Sequence, residues 1–183
     1  MTELCQLYDN QGRALVGQGA VKDKIFSDGL LHGASHVWIW RQASNGIEIL
    51  LQKRAANKRT WPNLYDVSAA GHIDLGEDPV EAAIRETHEE IGIQVHSTDL
   101  KFIGVQQFYI VAGNDAIENE YQWLYLLELS TATNFKLEQD KVAALEWKPI
   151  ADFKQEVRSN TKLYVPHGTL YFDTVTNAIE NPK

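Results

Sequence analysis

Gly71–Ile93, with the sequence GHIDLGEDPVEAAIRETHEEIGI, is the stretch that decides the fold. Asp78 can cap a helix, Pro79 suits the first helical position, and an acidic residue follows three positions after the cap, as in a capping box. Gly92 is a typical helix stop. The sequence therefore predicts a helix over 78–91 with a signal at each end.

Three carboxylates share one face of this predicted helix. At 100° per residue, Glu86, Glu89 and Glu90 fall on one arc of roughly 100°, beside an apolar stripe that includes Thr87 and Ile91. Like charges at these spacings repel by about 0.2–0.5 kcal/mol per pair. Hard divalent cations prefer oxygen ligands, so Mg²⁺ joined by a phosphate oxygen would turn this repulsion into a binding site.

Composition and charge exclude several classes of function. Of the 183 residues, 44% are apolar and 23% charged, which indicates a globular chain and not a disordered one. A net charge of −8 argues against a nucleic-acid partner. The sequence contains no apolar run of the roughly 20 residues that a membrane span needs, and its first ten residues do not resemble a signal peptide. The single cysteine, Cys5, agrees with a reducing compartment, so we expect a cytoplasmic protein without membrane contact.

The length favours a single domain over 1–183, with an N-terminal strand extension over 1–30. Strand-rich segments alternate with helices, which suggests a mixed α/β sandwich more than a doubly wound parallel sheet. The predicted strands are two short ones within 3–20, then 34–41, 47–54, 101–111, 120–129 and 143–147; the other predicted helices are 149–158 and 169–179, and 58–66 is predicted as a loop. The tryptophans within the strands are expected in the core, namely Trp38, Trp40, Trp123 and Trp147.

The segment 71–93 resembles the Nudix box, G-x5-E-x7-R-E-U-x-E-E-x-G-U, in which U is a bulky aliphatic residue. Every fixed glycine, glutamate and arginine is present at its spacing, and the one departure is Thr87 in an aliphatic position. The resemblance implies an α/β fold of the Nudix type, an α/β/α sandwich around a mixed β-sheet. It also implies Mg²⁺-dependent or Mn²⁺-dependent hydrolysis of a diphosphate linkage in a small molecule, such as a nucleoside or isoprenoid diphosphate.

The same resemblance implies roles for single residues of the box. The implied metal ligands are Glu86, Glu90, Glu89 and the carbonyl of Gly71. Glu77 would support the site, and Arg85 would orient the neighbouring glutamates through charge-assisted hydrogen bonds. The residue that takes the proton from the attacking water stays open between the box glutamates, Glu90 foremost with Glu89 beside it, and a later carboxylate, Glu118 or Glu120.

A basic run precedes the box and is a candidate for phosphate capture. It contains Lys53, Arg54, Lys58 and Arg59, and the aromatic residues Trp61 and Tyr65 follow closely. We expect Lys53, Arg54 and Lys58 to contact the substrate phosphates, and Trp61 to stack on an organic group. His72 is a further candidate substrate contact. A solvated edge without function is the alternative.

A wider stretch, Leu51–His72, together with His32 and the Glu118–Glu120 segment, is similar to isopentenyl diphosphate isomerases, which share the Nudix fold. Those isomerases use a cysteine just before the Gly-His pair, whereas this chain has Ala70, whose methyl group can neither give nor accept a proton. The sequence therefore favours hydrolysis. Isomerisation and non-catalytic binding of a phosphorylated ligand are the alternatives, and the identity of the substrate and a homodimeric state stay open.

Overall fold

The computed structural model describes residues 3–112, 116–130 and 133–181, and within them the chain forms strands and helices in an alternating order. The strands are β1 (Leu4–Tyr8), β2 (Ala14–Val21), β3 (His32–Ala43), β4 (Gly46–Arg54), β5 (Tyr65–Asp66), β6 (Ala69–His72), β7 (Leu100–Val111), β8 (Ile117–Glu128) and β9 (Val142–Pro149). The helices are α1 (Lys22–Asp28), α2 (Pro79–Ile91), α3 (Ile150–Ser159) and α4 (Thr169–Glu180). None of these helices is long and apolar enough to cross a membrane, as far as the described ranges extend.

Strand β3 organises a mixed sheet. It pairs in parallel with β8, from His32 opposite Glu120 onward, and antiparallel with β6, where Ala34 lies opposite His72. Its later half pairs antiparallel with β4, which in turn pairs with β5 and β9. Parallel and antiparallel neighbours on one strand bring segments distant in sequence to the same end of the sheet, where the candidate site lies.

Helices cover both faces of the sheet, as predicted for an α/β/α sandwich. Side chains of β3 alternate between the faces, so Trp38 packs with α3 and α4, whereas Val37 and Ile39 pack with α2. Trp38 is buried as expected. The other strand tryptophans pack partly buried against one or the other cluster, namely Trp40, Trp123 and Trp147. The predicted sandwich with a mixed sheet is confirmed.

Helix α2 begins and ends where the sequence predicts. The Asp78 N–H donates to Glu81 Oε2 at 3.2 Å, and Gly92 ends the helix with a φ of +75° that a glycine adopts without strain. Thr87 is fully buried, and its hydroxyl donates to the Ala83 carbonyl at 2.7 Å. The polar side chain at the aliphatic position of the box is therefore accommodated by the helix itself.

The structure differs from the predicted elements in the N-terminal segment, in the predicted loop 58–66 and at β6, a strand absent from the predicted elements. The N-terminal segment 1–30 is not made of strands alone, since α1 follows β2 directly. This helix has no side-chain hydrogen bond at its N-cap, Val21, so the sequence carries no start signal for it. The predicted loop 58–66 ends in strand β5, because Asp66 pairs with Gln52 of β4. Pairing with a distant strand, and not local propensity, makes that segment extended.

Candidate active site

The candidate site is a cavity of about 210 Å³ lined by both acidic and basic side chains. The acidic wall comes from α2 and β8, and the basic wall comes from β4, the segment that follows it, and the start of α1. Such a mixture suits a ligand with several negative charges that enters together with a cation.

Gly71 and Glu86 approach each other so closely that only glycine fits at position 71. A Cβ atom on residue 71 would lie 2.5 Å from Glu86 Cγ and closer still to its carboxyl carbon. The side chain of Glu86 therefore occupies the space that a Cβ would fill. The first glycine of the box has a physical reason here, since it lets the carboxylate lie against the backbone of β6.

Arg85 binds the acidic side chains around it. Its Nη1 donates to Glu86 Oε1 at 2.6 Å, while Nε and Nη2 donate to the two oxygens of Glu77 at 2.9 and 2.8 Å. Nη2 also donates to the His72 carbonyl at 2.9 Å. The hydrogen bonds with Glu77 raise the pKa of Arg85, and although partial burial opposes ionisation of Glu77, the same bonds lower the pKa of that carboxyl. The guanidinium thus holds the box loop against the helix.

Glu90 is 1% exposed and is oriented by two donors. Its Oε2 accepts hydrogen bonds from Gln52 Nε2 and from the Ala70 N–H, each at 3.1 Å. The other oxygen, Oε1, lies 3.7 Å from Lys58 Nζ. Burial raises the pKa of Glu90, and the charge of Lys58 partly counters that shift. Oε1 is the oxygen of this carboxylate that remains available to a ligand.

Lys141, which follows Glu89 by 52 residues, contacts the box glutamates. Its Nζ lies 3.1 Å from Glu89 Oε2 and 3.3 Å from Glu86 Oε2. Burial disfavours the charged amine, but Glu86, Glu89 and Glu90 together outweigh it and raise the pKa of Lys141. The glutamate side chains therefore differ, because those of Glu86 and Glu90 are buried, whereas that of Glu89 is 44% exposed. Sequence reasoning missed Lys141, which belongs to no motif and reaches the site just before β9.

A second group of metal-capable side chains lies at the starts of β3 and β8 and the end of β6. The ligand atoms of His32, His72 and Glu120 lie within 4.8 Å of one another. Strand register explains why these side chains lie together, since His32 is opposite Glu120 in the parallel pair of β3 and β8. His32 Nε2 is 3.3 Å from Glu120 Oε1, yet it is buried without an aligned hydrogen bond to any described residue.

Ionisation in this second group is uneven. Burial opposes charge on Glu120, but the nearby rings of His32 and His72 together outweigh it and hold the pKa of Glu120 well below its usual range. Burial also works against a charged His32, yet its interaction with Glu120 raises the pKa of that imidazole. For His72 burial dominates and lowers the pKa to about 4. Burial and the charge of Glu120 raise the pKa of neighbouring Glu118.

The basic run is divided between the two faces of β4. Side chains alternate along a strand, so Arg54 lines the cavity and Gln52, on the same face, contacts Glu90. The Lys53 ammonium lies 6.0 Å from the Tyr65 ring centre, outside the cavity lining. Among the predicted substrate contacts, Arg54, Lys58, Trp61 and His72 line the cavity. Lys53 does not, because it precedes Arg54 by one residue.

Several cavity residues were not candidates in the sequence. Lys22 begins the unpredicted helix α1, and His36, Asp66 and His167 line another part of the wall. Outside the lining, Gln52 was also missed, although it orients Glu90. These residues stand apart from one another in the sequence and belong to no recognisable motif. Only the register of β3, β4 and β5 and the return of the chain after α3 bring them together.

The donor set fits a divalent cation. Glu86 and Glu90 supply buried carboxylate oxygens, Gly71 lines the same cavity beside Glu86, and Glu89 adds an outer carboxylate. Oxygen donors of this kind are what Mg²⁺ and Mn²⁺ prefer. His32, His72 and Glu120 form a second donor set of nitrogen and oxygen, in which the unpaired His32 nitrogen is of the type that binds metals.

An α/β/α sandwich whose acidic helix lines a cavity together with cationic side chains defines a class of metal-dependent enzymes that act on phosphorylated small molecules. The sequence model of the NUDIX domain family matches residues 30–167, and the chain belongs to that family. The predicted family membership and enzyme class, a Nudix-type hydrolase of diphosphate or anhydride linkages, are thereby confirmed.

Individual relatives agree with this family. The chain is 29% identical to Nudix hydrolase 3 of Arabidopsis thaliana over 82% of its own length, although the match covers 20% of the plant protein. It is 30% identical to the isopentenyl-diphosphate Delta-isomerase of Aliivibrio fischeri over 96% of this chain and 93% of that one. The MutT protein of Methanosarcina mazei has the same fold, with a TM-score of 0.63 at 18% identity over 84% of this chain and 96% of that one.

Proposed function

We propose that this protein is a Mg²⁺-dependent hydrolase of a small diphosphate, with Mn²⁺ as a substitute ion. The observation that carries the proposal is that Glu86 and Glu90 of the box line one cavity together with cations, and that both are buried and held by Arg85, Gln52 and the Ala70 N–H. A diphosphate brings negative charge, and Lys22, Arg54 and Lys58 line the same cavity to receive it.

A bound divalent ion would polarise the phosphorus and lower the pKa of a bound water. Glu86 and Glu90 would hold that ion together with Glu89 and the Gly71 carbonyl, and Glu77 and Arg85 would keep the ligands in place. Lys58, 3.7 Å from Glu90 Oε1, would contact the substrate phosphate and balance the charge of the site. Trp61 lines the cavity and would stack on the organic group.

The base that accepts the proton of the attacking water is proposed among Glu90, Glu118 and Glu120. Burial raises the pKa of Glu90 and that of Glu118, which brings both closer to neutral pH, as a general base requires. Glu120 is held ionised by two histidines, so it is better suited to bind a cation than to exchange a proton.

Isomerisation of isopentenyl diphosphate is a second candidate, favoured by the cluster of His32, His72 and Glu120 and by the isomerase relatives. Residue 70 argues against it. Ala70 lines the cavity, and its methyl group cannot shuttle a proton to a double bond. Interconversion of isopentenyl and dimethylallyl diphosphate by the pure protein would support this alternative over hydrolysis.

A screen of diphosphate compounds with Mg²⁺, read by release of phosphate or a monophosphate, tests the proposal. Glu90→Gln should lower turnover by about 10²-fold or more, because the amide keeps the size of the side chain but loses the charge. The control is Glu128→Gln at the exposed end of β8. Equal activity of the two variants would refute the mechanism.

The rest of the proposal concerns context. We propose a cytoplasmic location, which accords with the single cysteine, Cys5, whose pKa burial raises to about 11, so that it stays an unreactive thiol. A single domain, a homodimer and the absence of a nucleic-acid partner stay predictions from the sequence.

A further inference from the structure

Lys141 contacts two of the proposed metal ligands at once. Its Nζ donates to Glu89 Oε2 at 3.1 Å and to Glu86 Oε2 at 3.3 Å. The other oxygen of Glu86 has a different partner, because Arg85 Nη1 donates to Oε1 at 2.6 Å. A divalent ion bound by Glu86 and Glu89 would therefore need oxygens that already contact a cationic side chain.

The backbone places Lys141 beside the glutamates independently of its side chain. Residues 136–141 run along the C-terminal end of α2, where the Glu138 N–H donates to the Glu90 carbonyl at 3.0 Å. This bond satisfies one of the carbonyls that a helix leaves open at its end. The Lys141 carbonyl accepts the Ala55 N–H at 3.1 Å. A substitution of the Lys141 side chain thus leaves these backbone bonds in place and changes the charge.

Arg85 is not the cation that would give way to a divalent ion. It donates to both oxygens of Glu77 and to the His72 carbonyl, in addition to Glu86. Breaking its bond to Glu86 would leave all the other bonds in place, so the guanidinium would stay where it is.

The Lys141 ammonium, by contrast, can leave the carboxylates. Among the residues that the structure describes, its only hydrogen bonds are those to Glu86 and Glu89, and the side chain is 35% exposed. Lys141 also lines the cavity that contains Arg54 and Lys58. A phosphate in this cavity would offer the displaced ammonium a new charged partner.

We propose that the Lys141 ammonium and the divalent ion exchange on Glu86 and Glu89. The inference rests on the proposed function and concerns how its site takes up the ion. Two cations on the same oxygens repel each other, so the ion binds only when the ammonium leaves. The ion alone displaces the ammonium without giving it a new partner, and it therefore binds weakly. A diphosphate supplies that partner, so the ion and the diphosphate strengthen the binding of each other.

Lys141→Met tests the exchange, because it removes the ammonium and keeps most of the length of the side chain. Mn²⁺ is the probe, and electron paramagnetic resonance measures its binding, first alone and then with methylenediphosphonate, a diphosphate analogue that water does not cleave. The variant should bind Mn²⁺ alone about tenfold more tightly than the wild type, and the analogue should strengthen that binding about tenfold less. Unchanged or weaker binding of Mn²⁺, as expected of a lysine with a purely structural role, would overturn the proposal.

Lys136→Met is the matched control. It removes the same charge from the same segment, and Lys136 is exposed and forms no ion pair with a box glutamate in the described part of the chain. Its Mn²⁺ affinity should stay within about twofold of the wild type, because water and salt screen an exposed charge. An equal gain in both variants would mean that net charge alone weakens the binding, and the proposal would be wrong.

A crystal structure of the wild type with Mn²⁺ and methylenediphosphonate tests the exchange directly. The anomalous signal of Mn²⁺ locates the ion, and Lys141 Nζ should lie within hydrogen-bond distance of a phosphonate oxygen and away from Glu86 Oε2. An ammonium that keeps its contacts with Glu86 and Glu89 beside the bound ion would overturn the proposal.

Failure of the hydrolase function would give a different set of results. Tighter Mn²⁺ binding in Lys141→Met, together with a displaced ammonium but no cleavage of any diphosphate, would contradict the hydrolase function and support the exchange. Mn²⁺-dependent hydrolysis by the wild type, together with an unchanged Mn²⁺ affinity in Lys141→Met, would contradict the exchange and leave the hydrolase function in place.

Discussion

Replacing Gly71 by alanine should separate activity from stability. A Cβ at position 71 would lie 2.5 Å from Glu86 Cγ and closer still to its carboxyl carbon, whereas ordinary contacts begin at 3.4 Å, so the Glu86 side chain must retreat by more than about 1 Å. A displacement of this size at a catalytic group costs on the order of 10²-fold in rate, or about 2.7 kcal/mol of transition-state stabilisation. Because the displaced atoms lie at the end of a flexible side chain, the free energy of unfolding should fall by only about 1–2 kcal/mol.

The matched control is Gly76→Ala in the same loop. Gly76 has a φ of +83° and open space around it, so alanine there adds backbone strain of about 1–2 kcal/mol without touching a carboxylate. Steady-state hydrolysis with Mg²⁺ and urea unfolding are measured on both variants. The reasoning is refuted if the two lose similar activity at similar stability.

A second substitution tests the cause of the loss. Glu86→Asp shortens the side chain by one methylene and makes room for the added Cβ. In the Gly71→Ala background it should therefore restore part of the lost rate, whereas alone it lowers the rate. Additive losses in this double-mutant cycle would show that the two positions act independently, contrary to the packing argument.

Three more outcomes are expected. His36, whose pKa burial lowers to about 4, binds fewer protons when folded than when unfolded, so its contribution to stability is lost as pH falls from 6.5 toward 4. Between pH 7 and pH 5, the free energy of unfolding measured in urea should fall by about 2 kcal/mol more in the wild type than in His36→Asn. Equal falls in the two proteins would contradict this expectation. Lys58→Met should raise KM about tenfold, because Lys58 lines the cavity. Lys53→Met should change KM by no more than about twofold, because Lys53 lies outside the cavity lining. A larger effect on KM from Lys53→Met than from Lys58→Met would show that the phosphate binds elsewhere. Mg²⁺ at about 100 times its Kd should stabilise the fold by about 2.7 kcal/mol in thermal unfolding, and this shift should be lost in Glu86→Gln.

Local signals made the acidic helix α2 predictable. Its cap, its proline and its closing glycine act within one turn, and the 3.6-residue period places Thr87 in the core beside the glutamates. The strands on either side of the turn at 44–46 were equally predictable, because the turn residues and the alternation of apolar and polar side chains lie close together in the sequence. Helix α1 was missed, since it has no capping side chain.

The sequence by itself determined the family, the acidic helix and the kind of chemistry, because all three depend on residue types at short and regular spacing. Only the tertiary structure decided which other groups meet that helix. Parallel pairing of β3 with β8 brings His32 to Glu120, and the returning chain places Lys141 and His167 in the cavity. These contacts depend on strand register and on packing across the whole sheet, so the spacing of the residues along the chain does not predict them.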